Sequence, residues 1–358
     1  MTRATTLSID LGAIRANTIY AAGLASKSQL MACVKADAYG HGMVRVARAI
    51  DDLVGGFAVA CLEEALALYN AGITKPVLLL EGVFDIAELN SVQNNDFWMV
   101  VHCQEQIDML KQFRFDKPVH VWLKMDSGMH RLGFTAASYI RAYEALREMS
   151  SVGRITHMTH FCCAEELDNP TTSEQLAIFS QTCAPFPGDR SVANSAAIMG
   201  WPQSHHDWVR PGFMLYGGNP FSSSSKKGDR LRAAMTLSSE VISVRDLAPG
   251  SGVGYSKAWT SASPATVATV AVGYGDGYPR NTANGTPVLV NGVPAKTVGH
   301  VAMDMLTVDV TGIDGIGVGA NVELWGQALS IHDVAASSGY SAYELMTRHP
   351  GRVPKIYT

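Results

Sequence analysis

A single lysine stands at the end of an apolar run near the start of the chain. Lys35 follows the run Met31–Val34 and precedes the loop-like residues Ala36–Tyr39. Burial disfavours a charged ammonium, so it lowers the pKa of a lysine and frees the amine as a nucleophile, the usual preparation for a Schiff base. A lysine that reaches from a strand end into solvent is the competing interpretation. Tyr39 could bond a phosphate, stack on an aromatic cofactor or be an ordinary loop tyrosine.

A second group of charges lies between Lys124 and Arg131. Arg131 is suited to bind a carboxylate through two parallel hydrogen bonds. Lys124 lies within an apolar run, so it would be buried and would need an anionic partner. A surface cluster of salt bridges is the alternative interpretation.

Two more polar side chains end apolar runs. His160 closes one run and is placed to stack on a ring or to orient a neighbour, whereas a metal-binding role with His157 is not expected. Arg210 closes another and is followed by Pro211-Gly212, a turn whose backbone amides could bind phosphate. The sequence contains no GxSxG, HExxH or GxGxxG pattern.

The composition sets limits on the class of protein. The 358 residues are 47% hydrophobic and 17% charged, with a net charge of -4, which predicts one large and one smaller domain. No basic run exceeds Lys226-Lys227, so nucleic acid is not an expected partner. No apolar stretch approaches a membrane span, and the first residues carry no export signal, so we expect a cytosolic protein. The six scattered cysteines are expected to be buried free thiols.

The apolar runs alternate with amphipathic stretches from Met31 to about Gly212, which predicts a (β/α)₈ barrel. The predicted strands are Met31–Ala36, Gly56–Ala60, Val77–Glu81, Trp98–Val101, Val119–Met125, Ile155–Phe161, Ser191–Asn194 and Trp208–Arg210. An open doubly wound sheet would carry a glycine-rich phosphate turn after its first strand, and Lys35–Tyr39 is not one. Barrels place their active sites at the C-terminal ends of the strands. Polar residues stand at those ends: Lys35, Glu81, Lys124, His160, Asn194, Ser195 and Arg210.

The pattern changes after the polar stretch Pro220–Asp229. Alternating runs separated by Gly, Pro and Asn predict a small β domain with a short helix near His332–Ser337 and a tail. The predicted strands are Leu237–Val244, Ala265–Val272, Pro287–Val290, Leu306–Val310 and Val322–Leu324. The predicted domains are therefore residues 1–230 and 231–358.

Several segments together resemble bacterial alanine racemase, a pyridoxal 5'-phosphate (PLP) enzyme of fold type III. The resemblance covers nearly the whole chain. It rests on VKADAYGHG at Val34–Gly42, LKMDSGMHRLGF at Leu123–Phe134, THF at Thr159–Phe161, WPQSHHDWVRPG at Trp201–Gly212, VGYSKAW at Val253–Trp259, GYGDGYPR at Gly273–Arg280, MDM at Met303–Met305 and SAYEL at Ser341–Leu345.

The resemblance implies two catalytic bases. Lys35 would carry PLP and take the α-proton of D-alanine, and Tyr255 of a second subunit would act on L-alanine from the opposite face. Arg131 and the backbone amide of Met303 would hold the substrate carboxylate. The implied product is D-alanine for peptidoglycan, and the implied assembly is a homodimer with shared active sites.

The resemblance also implies a set of supporting residues. Arg210 would face the pyridine nitrogen with His160 behind it, Lys124 would be carbamylated, and Tyr274 would narrow the substrate access route. The phosphate would be cradled by Tyr39, Ser195, Gly212, Phe213 and Tyr343. His300 stands where many relatives have arginine, which leaves access and side-chain preference open.

Other functions remain possible from the sequence. A racemase of larger or polar amino acids, such as serine, fits the same residues. A fold type III PLP decarboxylase would carry His-x-Gly-Ser and a glycine-rich phosphate loop, which are absent. A PLP-binding barrel without enzymatic activity would lack the second domain.

Overall fold

The computed structural model describes residues 3–221 and 226–358, so Ser222–Ser225 of the polar stretch lie outside the described residues. The chain divides into two compact units. One, which we call the barrel unit, comprises residues 14–38 and 42–231. The other, the β unit, comprises residues 1–13, 39–41 and 232–358.

The barrel unit is built on eight parallel strands that close on themselves, which confirms the predicted (β/α)₈ fold. Pairing of Gln29 with Trp208 joins the first strand to the last. The strands are Gln29–Cys33, Gly56–Val59, Val77–Leu79, Trp98–Val101, Val119–Lys124, Val152–Met158, Arg190–Ser191 and Trp208–Val209. Most of their residues are buried, because inward side chains fill the barrel and outward ones meet the surrounding helices.

Helices follow the strands in the expected alternation. They are Leu11–Leu24, Met43–Ile50, Leu62–Asn70, Glu88–Asn94, Gln104–Gln112, Ala136–Arg147, Thr171–Cys183 and Ser195–Gly200. Side-chain caps fix two of the starts: Thr135 accepts from Ser138 N, and Asn194 accepts from Ala197 N. In the described part of the chain, no helix combines the length and apolar character needed to span a bilayer.

Aromatic residues pack inside the barrel towards the beginning of its strands. The Trp98 ring lies 4.1 Å from that of His120 and 5.7 Å from that of Trp208, and Trp122 lies 5.8 Å from Trp208. Burial lowers the pKa of His120 to about 4, so the imidazole is neutral in this cluster. This end of the barrel is thus packed core, and the ionisable residues of interest lie at the other end.

The β unit contains an eight-stranded sheet and two terminal helices. In order across the sheet, the strands are Ala265–Val270, Leu306–Asp309, Val293–Val298, Pro287–Val290, Asn321–Trp325, Met235–Leu247, Thr6–Ile9 and Lys355–Tyr357. A further pairing joins Ala265–Val270 to Met235–Leu247. A two-stranded ribbon pairs Gly252–Val253 with Trp259–Thr260. The helices are Ile331–Ser338 and Ala342–Thr347.

Both ends of the chain belong to this sheet, which the sequence pattern did not predict. Thr6–Ile9 pairs antiparallel with Met235–Leu247 and parallel with Lys355–Tyr357. Residues 1–13, assigned by sequence to the first domain, therefore cluster with the β unit. The predicted tail also contains the helix Ala342–Thr347, which starts with a capping box between Ser341 and Glu344.

The cysteines only partly match the expectation of buried free thiols. All six are free, and Cys33 and Cys183 are buried. Cys162 is exposed, and the remaining three are intermediate. Cys162 follows a strand end on the loop side, where periodicity no longer predicts burial.

A buried carboxylate holds the turns of the β unit together. Asp276 is fully buried; its Oδ1 lies 2.6 Å from Arg3 Nη1 and 2.8 Å from Arg352 Nε. Its Oδ2 accepts a hydrogen bond from Gly273 N at 2.9 Å. Arg352 also pairs with Asp304, so the Gly273–Gly277 turn is linked to the loop that contains Met303.

We predict that Asp276→Ala lowers the free energy of unfolding by about 3 kcal/mol, because two arginines would lose a buried partner. Urea unfolding followed by circular dichroism measures the change. Asp314→Ala, on an exposed loop of the same unit, is the control. A loss no larger than that of the control would show that the ion network contributes nothing measurable.

Candidate active site

The barrel unit brings the predicted polar strand ends to one rim. Lys124 is the last residue of its strand, and Arg210 directly follows the last strand. Lys35 and His160 each come two residues after a strand, and Ser195 opens the helix Ser195–Gly200. Because the strands are parallel, all these positions face the C-terminal mouth of the barrel.

Arg210 is the most firmly held charge at this rim. The buried guanidinium donates to Ser191 Oγ and Thr159 O, both at 2.7 Å, and to Val192 O at 3.2 Å. Burial lowers its pKa to about 10, which leaves it protonated at neutral pH. Its Nη2 also lies 3.2 Å from His160 Nδ1. The guanidinium is thus fixed before any ligand binds.

His160 is neutral for two reasons. Burial lowers its pKa well below the ordinary histidine value, and the charges of Arg210, Lys124, Arg131 and Lys35 lower it further. A neutral ring can accept the Arg210 N–H through Nδ1. His160 and Arg210 are thus in direct contact, while their role at a cofactor ring stays a prediction. His157 is used elsewhere, since Tyr139 and Pro187 bond its two ring nitrogens.

Lys124 is a buried amine among cations. Only 6% of the residue is exposed, and burial is the main cause that lowers its pKa to about 8, with Arg210, Arg131 and Lys35 adding to the effect. Glu81 acts in the opposite direction. Among the described residues, no carboxylate lies within 4.0 Å of Lys124 Nζ. A rim with this excess of positive charge is suited to bind anions.

The loop that carries Arg131 is shaped by Asp126. Its Oδ1 accepts the backbone N–H groups of Gly128, Met129 and His130 at 3.0–3.1 Å. The Asp126 carboxylate is consequently occupied by the loop itself. Arg131 is exposed and is available to bind a carboxylate from solution.

Ser195 joins two of the predicted phosphate-binding segments. Its Oγ accepts from Gly212 N at 3.1 Å and from Met214 N at 3.2 Å. The turn Phe213–Tyr216 after the last strand is therefore bound to the start of the helix Ser195–Gly200. Ser195, Gly212 and Phe213 therefore lie together after the last two barrel strands, where barrels often bind phosphate.

The turn after Lys35 is left-handed. Ala36, Asp37, Ala38 and Tyr39 have φ values of 52°, 53°, 56° and 50°. Each such non-glycine residue costs roughly 1–2 kcal/mol, so surrounding contacts must stabilise the turn. The sequence predicted only a loop here, because none of the four residues is glycine.

Sequence reasoning missed two acids that bind this turn. Glu64 accepts Ala36 N at 2.7 Å, and Asp37 accepts Met43 N at 2.7 Å. The acids were visible in the sequence, but Glu64 could be read only as a charge in the first turn of a helix. Its role depends on the pairing of two strands, which periodicity does not specify.

The β unit exposes the remaining predicted residues. Tyr255 is 73% exposed and follows Gly254, whose φ of 68° turns the chain beside the backbone of His300. Met303 is 54% exposed. The rings of Tyr39 and Tyr343 lie 6.2 Å apart. This unit therefore brings Tyr39 and Tyr343 together.

Two turns of the β unit are joined near Met303. Tyr274 N donates to Ala302 O at 3.0 Å, and Gly275 N donates to Met303 O at 2.8 Å. Within the described part of the chain, no acceptor takes the N–H of Met303. An exposed, unused amide of this kind can bind a carboxylate.

Comparison with known proteins agrees with this arrangement. The sequence models of the alanine racemase N-terminal and C-terminal domains match residues 9–220 and 234–357. The chain is 47% identical over 350 residues to the catabolic alanine racemase of Pseudomonas aeruginosa, covering 98% of each protein. It is 48% identical over 344 residues to the alanine racemase of Azoarcus sp., covering 96% of each. The crystal structure of biosynthetic alanine racemase from Pseudomonas aeruginosa matches with a TM-score of 0.97 and 42% identity, covering 100% of both chains. The chain therefore belongs to the alanine racemase family.

Proposed function

We propose that the protein interconverts L-alanine and D-alanine by a two-base mechanism that depends on PLP. The family consists of PLP-dependent isomerases. The observation that carries the proposal is the position of Lys35, an amine at the end of the first barrel strand on a rim with three further cations. Those cations match the charge of a cofactor phosphate and a substrate carboxylate.

The residues of the barrel rim fit PLP. Ser195, Gly212 and Phe213 would hold the phosphate, together with Tyr39 and Tyr343, and Lys35 would attach the cofactor. Arg210, with His160 behind it, would face the pyridine nitrogen. When bound, PLP supplies an electron sink for the charge left on the substrate α-carbon.

Arg210 determines how strong that sink is. Its guanidinium is fixed by three protein oxygens and stays protonated, since its pKa is about 10. It can donate a hydrogen bond to the ring nitrogen but cannot supply a proton as a carboxylic acid would. The nitrogen would therefore stay largely unprotonated, which would suppress side reactions that need a long-lived negative charge on the α-carbon.

Racemisation needs proton carriers on both faces of the α-carbon, because a single base tends to return the proton to the face it came from. We assign Lys35 to one face and Tyr255 of a second copy of the chain to the other. The exposure of Tyr255, Met303 and Tyr343 supports this assignment, since side chains that contact a second copy must lie at the surface of the single chain. The unused N–H of Met303 and the side chain of Arg131 would hold the substrate carboxylate, and Tyr274 would narrow access.

We also propose that Lys124 is carbamylated. Only a neutral amine attacks carbon dioxide, and with a pKa of about 8 roughly a tenth of Lys124 is neutral at pH 7. The resulting carbamate is an anion. It would neutralise part of the charge on the rim and give Arg131 a partner that orients it.

The net direction of the reaction in the cell depends on which enantiomer of alanine is supplied. We propose that the D-alanine formed is used in peptidoglycan, and the catabolic direction is the second candidate because two similar proteins are named catabolic alanine racemases. The same two bases serve both directions. Which one predominates is therefore set by the concentrations of the two enantiomers.

The central test is an assay of the PLP-loaded protein with L-alanine. We expect D-alanine to form, and Lys35→Ala to lower the rate about 10³-fold or more, because a base is removed. Lys111→Ala, on the helix Gln104–Gln112, is the control. Comparison with L-serine and L-lysine tests a broader racemase, and release of carbon dioxide would indicate a decarboxylase. Wild-type rates in Lys35→Ala would refute the mechanism.

Mixing inactive chains tests the shared site. Lys35→Ala and Tyr255→Phe homodimers should each be nearly inactive with L-alanine. Co-expressed chains form hybrid dimers in which one site has both bases, so about a quarter of wild-type activity should return. Co-expression of either variant with the double variant is the control and should restore none. If mass spectrometry shows hybrid dimers of Lys35→Ala and Tyr255→Phe chains but no activity returns, Tyr255 does not act in the site of the other subunit.

Carbamylation of Lys124 predicts a labelled adduct. With ¹³C-bicarbonate, the protein should show one carbamate resonance that Lys124→Ala removes and Lys111→Ala retains. Because only the neutral amine reacts, occupancy should rise as the pH is raised from 7 towards the Lys124 pKa of about 8. An unchanged spectrum after Lys124→Ala would assign the adduct elsewhere.

A further inference from the structure

We propose that Glu64 is a positioning residue for Lys35, because its carboxylate holds the left-handed turn that follows the lysine. The inference rests on the proposed role of Lys35. It concerns residues of the barrel unit alone, and Glu64 lies outside the motifs on which the resemblance to the family rests.

The Glu64 carboxylate joins the ends of two neighbouring strands. Its Oε1 accepts from Ala36 N at 2.7 Å, and its Oε2 accepts from Ala60 N at 2.8 Å. Ala60 directly follows the second barrel strand, Gly56–Val59. Each oxygen of the carboxylate therefore satisfies one backbone donor at the rim.

Glu64 acts where the ladder between these strands stops. The first two strands pair from Met31 with Gly56 to Cys33 with Ala58, and a last backbone bond runs from Val34 N to Ala58 O at 2.9 Å. Beyond that bond the first strand enters the left-handed turn, so its next amides no longer face a strand. The carboxylate takes the place of the missing backbone acceptors.

The turn is secured at three points. Ala38 N donates to Val34 O at 2.7 Å, and Asp37 accepts from Gly42 N through its carbonyl oxygen at 2.8 Å and from Met43 N through Oδ1 at 2.7 Å. At its start, next to Lys35, the Ala36 amide has Glu64 as its one acceptor among the described residues. Loss of the carboxylate would leave the amide next to Lys35 without its acceptor, so the turn would be held there by the Ala38–Val34 bond alone.

The two backbone contacts of Glu64 require a carboxylate and not merely a polar side chain. Two N–H donors need two acceptors, which glutamate supplies. Glutamine supplies one acceptor and an NH₂ group that would face the second donor. Glu63 provides a matched control, because it is the neighbouring acid on the same helix, is exposed and makes neither of these backbone contacts.

The experiment compares Glu64→Gln with Glu63→Gln in the full-length protein. We expect Glu64→Gln to weaken PLP binding about tenfold in an absorbance titration, and to speed hydrogen exchange of the peptide covering residues 34–42. kcat should fall about tenfold with L-alanine while KM changes less than about twofold, because the substrate carboxylate contacts remain. The melting temperature should match that of Glu63→Gln.

A rescue variant separates positioning from general structure. Ala36→Gly allows the positive φ without the strain of a Cβ, so Glu64→Gln/Ala36→Gly should recover part of the PLP affinity and of kcat. Equal PLP affinity, exchange and kcat in Glu64→Gln and Glu63→Gln would overturn the proposal, as would a double variant no better than Glu64→Gln. Hydrogen exchange needs no turnover, so a wild type that failed to racemise alanine would refute the proposed function and still leave this comparison decisive.

Discussion

The concentration of positive charge at the barrel mouth is the constraint on which the rest of the site depends. Lys35, Lys124, Arg131 and Arg210 all act on His160, and Glu81 is the acid that opposes them at Lys124. Like charges repel one another more strongly where water is partly excluded, and this repulsion destabilises the folded protein. Three features limit this destabilisation. Protein oxygens hold Arg210, burial lowers the pKa of Lys124, and His160 stays neutral. Anions then bind to a site whose electrostatics is already prepared for them.

The barrel unit and the β unit present different kinds of functional group. The barrel supplies fixed charges, because parallel strands present their ends at one rim and short turns hold the side chains there. The β unit exposes a tyrosine and an unused amide on loops, and the ion network around Asp276 holds the loop that carries the amide. Fixed charges suit the binding of an anionic cofactor, and exposed groups on loops remain accessible to other molecules.

Much of the barrel could be predicted from the sequence, because a buried parallel strand is a continuous apolar run and a polar residue at its end is conspicuous. All eight barrel strands overlap their predicted positions, and Lys35, Lys124, His160 and Arg210 lie at the rim as expected. The strands Thr6–Ile9 and Lys355–Tyr357 were missed because they are short and pair with residues distant in sequence. Glu64 was missed for a related reason: the helix period shows that it is polar, but only the register of two strands shows which amides it meets.

The left-handed turn also bears on how the chain folds. Ala36 and Glu64 are separated by 28 residues, so the amide beside Lys35 stays unsatisfied until the second strand and the start of its helix have been added. A nascent chain that ended before Leu62 could form the first strand and the bonds of Asp37 to Gly42 and Met43, but it would lack the acceptor for the amide beside Lys35. The turn beside the lysine is therefore complete only when the second β/α unit has packed, so tertiary structure and not the local segment alone determines it.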